Sequence, residues 1–462
     1  MLREAIEYWN PWWTGNTRSL EGLVTRSSVE EVRPWFARKE ILVITGVRRG
    51  GKSSLMKLMI RECLATVPAK QVLYVNLDDM ALEGATIQQI IEEHERLMAP
   101  SGKRYIFLDE VQRKPGWERW LKRYYDGSPD MKFVVSGSNS SLLKTEFSTY
   151  LVGREVSYVL YPLDFRELAR LHGVATDSEV AMVSNRLKLQ RLLEGYLRHG
   201  GFPEVVLEED ADTKVGLLKG YLSAILAHDV LARSQVREKG KLERLATYLA
   251  TNVSNEVSVK SLSGMLDLSP STVQEYLDLF RDAYLFFQVN HFSYSLKAQY
   301  TYPRKVYCID AGLRNAVGFT FSEDSGRLME NLVFLDLMRT GEVYYWREGT
   351  SEVDFVVQRG ARVAGLVQSC YDPSVPKVRK REVAGLLKAM DRFKLGKGTV
   401  VTWDEEAEER VGDRVIVYRP LWKWLLEGSR AAGGDGAGGQ GGRGPIGGAG
   451  EGGGGLPPGR HG

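Results

Sequence analysis

Short apolar runs alternate with segments of helical periodicity between residues 40 and 172. The runs are ILVIT (41–45), VLYVNL (72–77), the apolar part of YIFLDE (105–110), KFVVSGS (132–138) and REVSYVLYPL (154–163). A continuous apolar run indicates a strand covered on both faces, and the intervening segments are long enough for helices. The pattern therefore predicts an α/β domain with a parallel sheet over residues 40–172, after a lead-in rich in Trp and Arg at residues 1–39.

Residues 173–295 are predicted to form a helical lid and a winged-helix-like domain. Leu242–Ala250, Val259–Leu266 and Thr272–Ala283 have helical periodicity, and LFFQVNHF (285–292) indicates a strand after them. The last helix would face DNA in a winged helix, yet it carries three carboxylates and one arginine: Glu275, Asp278, Asp282 and Arg281. Because carboxylates are repelled by phosphates, we favour a packing or regulatory role over DNA contact.

Residues 296–427 return to mixed structure, in the order helix, three strands, helix, strand. This order, with Glu330 in the first helix and Asp354 in EVDFVV, resembles the core of restriction endonucleases. The resemblance implies a Mg²⁺ site made of carboxylates, with a lysine two residues after an acidic or Gln residue on the next strand. Gln368 meets the first condition, but Cys370 occupies the lysine position.

The missing lysine argues against nuclease activity in this domain. Lys377, Arg379 and Lys380 follow and would have to substitute for it from the next helix. Without a substitute, Glu352 and Asp354 are either remnants of a site or solvated strand charges.

The overall composition is that of an ordinary globular protein. Of the 462 residues, 43% are hydrophobic and 26% charged, and the net charge of +3 gives no global argument for nucleic-acid binding. The three cysteines are far apart, so we expect a reducing compartment without disulfides or structural zinc. No signal core or long apolar run occurs, so we expect a cytoplasmic protein with no membrane association. The Gly-rich tail, residues 428–462, is predicted to be disordered.

The chain carries the phosphate-binding pattern G-x-x-x-x-G-K-S directly after the first apolar run. Its glycines would turn backbone N–H groups towards phosphates, and the following helix would add its dipole. Lys52 would bridge the β- and γ-phosphates of ATP, and Ser53 would bind Mg²⁺. The residues expected to bind ATP are Gly46, Val47, Arg48, Arg49, Gly50, Gly51, Lys52, Ser53 and Ser54.

Two further polar segments follow apolar strands of the same domain. Asp109 would hold Mg²⁺ through water, and Glu110 would act as general base on the attacking water. The strand in KFVVSGSNSS would lie between the two phosphate-site strands, so Ser136, Ser138 or Asn139 could contact the γ-phosphate or the water. A polar turn capped by Ser or Asn is an equally good interpretation for any one of these three.

GVRRGGKSS, YIFLDEVQR, VVSGSNSSLL, LVGREVSYVLYPLDFREL and GGFPEV together resemble the AAA+-type ATPases of archaea and bacteria that carry an AAA-14 domain. The resemblance covers roughly residues 1–427. It implies an additional-strand ATPase core with Glu110 as catalytic glutamate, Ser136 to Asn139 as the sensor region, and a C-terminal domain of unknown function with a restriction-endonuclease-like core.

The same resemblance suggests two further site residues. Arg154 matches an arginine of the family and would act as a finger in a homo-oligomer or as an internal phosphate sensor; a surface salt bridge is the alternative. Pro203, in GGFPEV, resembles a proline that packs on adenine in related ATPases; a helix-ending Gly-Pro turn is the alternative.

These features predict an ATP-hydrolysing switch that requires ATP and Mg²⁺. Its nucleotide state would be relayed to a partner, protein or nucleic acid, through the C-terminal domain. The alternative is an ATP-dependent nuclease or nucleic-acid remodeller, and a third possibility is a nucleotide sensor that does not hydrolyse ATP, against which Glu110 argues.

Overall fold

The computed structural model describes residues 2–140, 150–233, 238–319 and 324–428. All but the first residue of the Gly-rich tail, whose disorder was predicted from composition, lie outside these described residues. No helix within the described ranges has the length and apolarity needed to cross a bilayer.

The nucleotide domain is built on a parallel sheet with the strand order β2-β3-β4-β1-β5, as predicted. The strands are β1 (Ile41–Thr45), β2 (Val72–Asn76), β3 (Arg104–Asp109), β4 (Met131–Gly137) and β5 (Glu155–Val159). The helices are α1 (Leu2–Trp9), α2 (Ser28–Phe36), α3 (Lys52–Leu64), α4 (Ile87–Met98) and α5 (Trp117–Gly127). Ile41 and Val43 pack into one core and Leu42 and Ile44 into another, so both faces of β1 are covered.

The N-terminal segment covers the open edge of this sheet. Asn10 donates from Nδ2 to the carbonyl of Tyr74 (2.8 Å) and accepts from its N–H (2.7 Å), so one side chain pairs both ways with the backbone of edge strand β2. An edge strand leaves backbone groups unpaired, and Asn10 supplies partners where a further strand would otherwise fit. Residues 1–39 are therefore part of the packing of this domain.

A helical region follows the first sheet. Its helices are α6 (Phe165–Leu171), α7 (Glu179–Ser184), α8 (Arg186–His199), α9 (Pro203–Leu207) and α10 (Ala211–Ala224), and a π-helical turn (Ile225–Val230) continues α10. π-Helical turns are rare and are frequent at functional sites.

Three helices and a small sheet form the next unit. They are α11 (Lys239–Thr251), α12 (Val259–Leu266) and α13 (Pro270–Asp282), with strands β6 (Glu256–Val257), β7 (Phe286–Val289) and β8 (Arg304–Cys308) in the antiparallel order β6-β8-β7. Strand β8 lies beyond the expected domain boundary at residues 295/296, so that boundary cuts through this sheet and is wrong. The hairpin partners are separated by a connection that holds α14 (Leu296–Thr301), and strand periodicity does not show such long-range pairing.

The C-terminal unit contains a six-stranded mixed sheet in the order β13-β14-β12-β11-β10-β9. Its strands are β9 (Glu342–Glu348), β10 (Ser351–Arg359), β11 (Arg362–Cys370), β12 (Lys397–Thr402), β13 (Ala407–Val411) and β14 (Arg414–Pro420). Its helices are α15 (Ala311–Val317), α16 (Asp324–Leu337), α17 (Pro376–Phe393) and α18 (Leu421–Glu427). The predicted order of helices and strands is present, with β13 and α18 in addition; the restriction-endonuclease-like assignment stays a prediction.

Candidate functional site

The phosphate loop joins β1 to α3 and needs glycine at both of its ends. Gly46 has φ 141°, and a Cβ there would lie 2.1 Å from the carbonyl oxygen of Leu160. Gly51 has φ 100° and directly precedes the first residue of α3. A side chain at either position would strain the backbone, so both glycines of the motif have a geometric reason.

Lys52 is buried in the mouth of this loop. Its Nζ donates to the carbonyls of Gly46 (3.0 Å) and Val47 (3.1 Å). Burial lowers the pKa of Lys52, and the negative charges of Glu110 and Asp109 oppose this shift. The ammonium and the two carboxylates predicted to act together therefore share one site.

Asp109 ends β3 and is completely buried between two hydroxyl donors. Tyr74 donates its phenol hydrogen to Oδ2 (2.9 Å), and Ser136 donates to Oδ1. Burial raises the pKa of Tyr74 well above its usual value, as does the adjacent Asp109, while a hydrogen bond from Ser53 opposes the shift. Tyr74 thus joins the two expected Mg²⁺ ligands, Ser53 and Asp109, and the hard oxygen donors present suit that ion.

Tyr74 was missed in the sequence. It lies on β2, which is adjacent to β3, and Asn76 is in register with Asp109. The available signal is a single phenol in the otherwise aliphatic run VLYVNL, because a buried hydroxyl normally needs a polar partner.

Glu110 lies in the left-handed region, with φ 56°. Its backbone N–H donates to Ser136 Oγ (3.2 Å), and Gln112 donates to its carboxylate. Left-handed backbone is uncommon for a residue other than glycine and is a mark of functional positions. Both features turn this half-buried carboxylate away from the axis of β3.

Ser138 and Asn139 follow β4, which lies between β1 and β3 as expected. Both side chains bond to Asp229 in the π-helical turn: Ser138 Oγ donates to its carboxylate, and Asn139 Nδ2 donates to its carbonyl (3.3 Å). Arg48 of the phosphate loop bonds to the same carboxylate, with 2.8 Å between Nε and Oδ2. Asp229 was not predicted, because nothing in its local sequence, ILAHDV, indicates a phosphate site.

The adenine side of the loop is bordered by Pro203 and Arg26. Pro203 Cγ and Arg26 Nη1 are the atoms nearest to a Cβ built on Gly51, at 3.6 and 3.1 Å. Arg26, from the N-terminal segment, is 4% exposed and donates to the carbonyl of Gly50 (3.1 Å) and to Glu167 (2.9 Å). Pro203 therefore lies next to the loop, where a nucleotide base could contact it.

Arg154 lies at the opposite edge of the sheet from the phosphate loop. Its carbonyl accepts from the N–H of Ile41, at the beginning of β1, and its guanidinium pairs with Asp126 (2.9 Å). Because β1 and β5 run parallel from that edge, Arg154 cannot reach the phosphate loop of its own chain. The internal-sensor hypothesis is wrong, and the surface salt bridge is what the structure contains.

A second polar cluster surrounds Lys305 of β8. Its Nζ contacts Glu330 (3.2 Å), Glu352 (2.8 Å) and Asp354 (2.8 Å) beside a cavity of about 500 Å³. Burial and the neighbouring Asp354 raise the pKa of Glu330. Lys305 was missed because it lies on another sheet, 49 residues before Asp354.

The expected substitutes for the missing lysine do not include this residue. Arg379 pairs instead with Glu405 (2.8 Å) and Glu409 (3.1 Å). Gln368 bonds to the backbone N–H of Asp354 (3.1 Å), as its place on the neighbouring strand β11 allows. Within the described part of the chain, no three Asp, Glu, His or Cys side chains are grouped so that they could hold a metal ion.

Two family models match the chain. The AAA_14 model, described as an AAA domain, covers residues 38–169, and a domain of unknown function, DUF8612, covers residues 190–324. The second match crosses the boundary at 295/296 that the sheet also contradicts, and it lies mostly before the C-terminal sheet. The first match contains the phosphate loop, Asp109, Glu110 and the turn after β4.

Relatives align along most of the chain. An uncharacterized protein of Methanocaldococcus jannaschii is 30% identical over 403 residues, which is 84% of this chain and 88% of that protein. An uncharacterized protein of Haemophilus influenzae is 30% identical over 400 residues, 84% of this chain and 94% of that protein.

Solved structures with some likeness include Orc1 of Aeropyrum pernix in complex with DNA, with 14% identity, a TM-score of 0.31 and coverage of 66% of this chain and 95% of that one. AMPPCP-bound DnaA of Aquifex aeolicus has 14% identity, a TM-score of 0.27 and coverage of 59% and 92%. These scores are too low to support an argument. The AAA_14 match and the full-length relatives carry the assignment: the chain belongs to the AAA_14 family of AAA-type P-loop ATPases.

Proposed function

We propose that this protein is an ATP-hydrolysing switch that passes its nucleotide state to the helical and C-terminal units. Lys52 would contact the β- and γ-phosphates, Ser53 and Asp109 would hold Mg²⁺, and Glu110 would accept a proton from the attacking water. The Mg²⁺ would neutralise charge on the phosphate oxygens. Burial of Lys52 beside Asp109 and Glu110 supports this arrangement.

The observation that carries the switch is the packing of the phosphate loop into the next unit. Val47, inside the loop, is fully buried in the same core as Phe202 and residues of α11 and α13. Thr45, the last residue of β1, shares a hydrogen bond of 2.8 Å with the hydroxyl of Tyr284, which follows α13. A loop rearrangement on ATP binding would therefore disturb contacts outside the nucleotide domain.

Phosphate release by wild type, Lys52→Ala and Glu110→Gln tests the hydrolytic part. We expect both variants to lose hydrolysis, while Glu110→Gln still binds ATP because the carboxylate acts on water. Glu92→Gln, on the exposed side of α4, is the matched control and should hydrolyse ATP at the wild-type rate. Equal rates in all four proteins would refute the proposal.

The coupling is tested by hydrogen exchange of residues 239–289 in Glu110→Gln, with and without ATP. We expect ATP to change exchange in α13 and around Tyr284. The single arginine of α13, Arg281, is paired with Asp278 (3.0 Å), which leaves little positive charge for phosphates. A protein partner is therefore the better candidate for the recipient.

The Lys305 cluster favours nucleic-acid cleavage as a second candidate function. The ammonium, absent at Cys370, arrives from β8 and lies against Glu330 and Asp354. Carboxylates with a neighbouring lysine are the groups that metal-assisted phosphodiester hydrolysis uses. Incubation with Mn²⁺ and DNA or RNA should then give cleavage that Asp354→Asn abolishes and the exposed-strand control Glu342→Gln retains. No cleavage and no Mn²⁺ binding would exclude this candidate.

A further inference from the structure

Asp229 is a buried carboxylate inside the phosphate site that the hydrolytic roles above do not use. It is 1% exposed and lies in the π-helical turn Ile225–Val230. Burying a carboxylate is costly unless cations and hydrogen-bond donors surround it. The partners of Asp229 therefore show what holds this turn in place.

Those partners come from two segments that border the phosphate site. Arg48, in the phosphate loop, directs Nε to Oδ2 (2.8 Å) and Nη2 to Oδ1 (3.3 Å), which is a two-pronged ion pair. Ser138, after β4, donates its hydroxyl hydrogen to Oδ1. The loop and the β4 turn thus grip one carboxylate between them.

The groups that bind Asp229 are also those that bind a phosphate. The fork of an arginine matches a carboxylate and a phosphate equally well, and a serine hydroxyl donates to either. Burial lowers the pKa of Arg48, but its hydrogen bond and charge pairing with Asp229 outweigh this and raise it. Arg48 is therefore firmly cationic, and two anions in front of it would repel each other.

We propose that Asp229 is a resident anion that competes with the γ-phosphate of ATP for Arg48 and Ser138. This rests on the proposed ATPase function and names how the site distinguishes ATP from ADP. ADP lacks the γ-phosphate and leaves the Asp229 contacts intact. ATP displaces the carboxylate and releases the turn Ile225–Val230 from the phosphate loop.

The released turn has a direct route to the next unit. Ile225, Leu226 and Val230 pack in one hydrophobic core with Leu242 and Leu245 of α11. A shift of the turn would change the packing of α11 because well-packed cores do not deform continuously.

Nucleotide affinities of the full chain test the competition. In a Glu110→Gln background, which prevents turnover, displacement of a fluorescent nucleotide gives Kd for ATP and for ADP. Asp229→Asn keeps the size of the side chain and removes its charge, so ATP affinity should rise relative to ADP by about 5- to 150-fold, the usual range of coupling between sites. Asp212→Asn, exposed on α10, is the matched control and should leave the ratio unchanged.

Hydrogen exchange in the protein without the Asp229 substitution guards against misfolding of that variant. Exchange at residues 225–230 should increase with ATP and stay unchanged with ADP. Equal exchange with both nucleotides, or an unchanged ratio of affinities in Asp229→Asn, would overturn the competition. Absence of any ATP binding would instead refute the proposed function itself, so the two failures are distinguishable.

Discussion

Gly46→Ala is the substitution for which the structure defines the cost most directly. The added methyl carbon would lie 2.1 Å from the carbonyl oxygen of Leu160. Close carbon–oxygen contacts are about 3.3 Å, so the loop and the chain after β5 would have to separate by roughly 1 Å. Overpacking costs about 1–3 kcal/mol, and the φ of 141° adds about 1–3 kcal/mol for a residue with a side chain.

We therefore expect Gly46→Ala to lower the free energy of unfolding by about 2–6 kcal/mol, the sum of these two costs. Lys52 donates to the Gly46 carbonyl, so the displacement should also weaken ATP binding. Urea denaturation and nucleotide titration measure the two effects.

Gly220→Ala is the matched control for this experiment. Gly220 lies inside α10 with nothing within 4 Å of a built Cβ, and the same substitution there should stabilise by up to about 1 kcal/mol without changing ATP affinity. Wild-type stability and ATP affinity in Gly46→Ala would refute the close packing of the loop on Leu160.

Three further predictions follow from other contacts. Burial raises the pKa of Asp310 from 3.8 to about 6; the folded state then holds a proton that the unfolded state has lost, so the free energy of unfolding falls by about 3 kcal/mol as pH rises through this window. Asp310→Asn should flatten that fall in urea denaturation between pH 4 and 7. Tyr284→Phe removes the bond to Thr45 and should cost about 1 kcal/mol; it should also reduce the ATP-dependent change in hydrogen exchange, and a full response would contradict the coupling route. Arg154→Ala should leave ATP affinity of the isolated chain unchanged, since only the Asp126 ion pair is lost; a several-fold loss in a nucleotide titration would contradict its position at the far edge.

Local patterns in the sequence were sufficient for most elements of this fold. Continuous apolar runs identified the five parallel strands, because a strand covered on both faces needs apolar residues at successive positions. The motif between β1 and α3 identified the phosphate loop, because glycines with unusual φ and a buried lysine are requirements within one short segment. The order of helices and strands in the C-terminal unit was likewise visible from periodicity.

Only the tertiary structure decided which distant residues meet. Asp229 lies 181 residues from Arg48, and Lys305 lies 49 residues from Asp354, so no spacing or periodicity links them. Arg154, close to β5 in sequence, proved to lie at the wrong edge. Secondary structure follows from neighbours along the chain, whereas the charge that faces a buried guanidinium or carboxylate depends on packing between units, and that packing is not encoded in any local pattern.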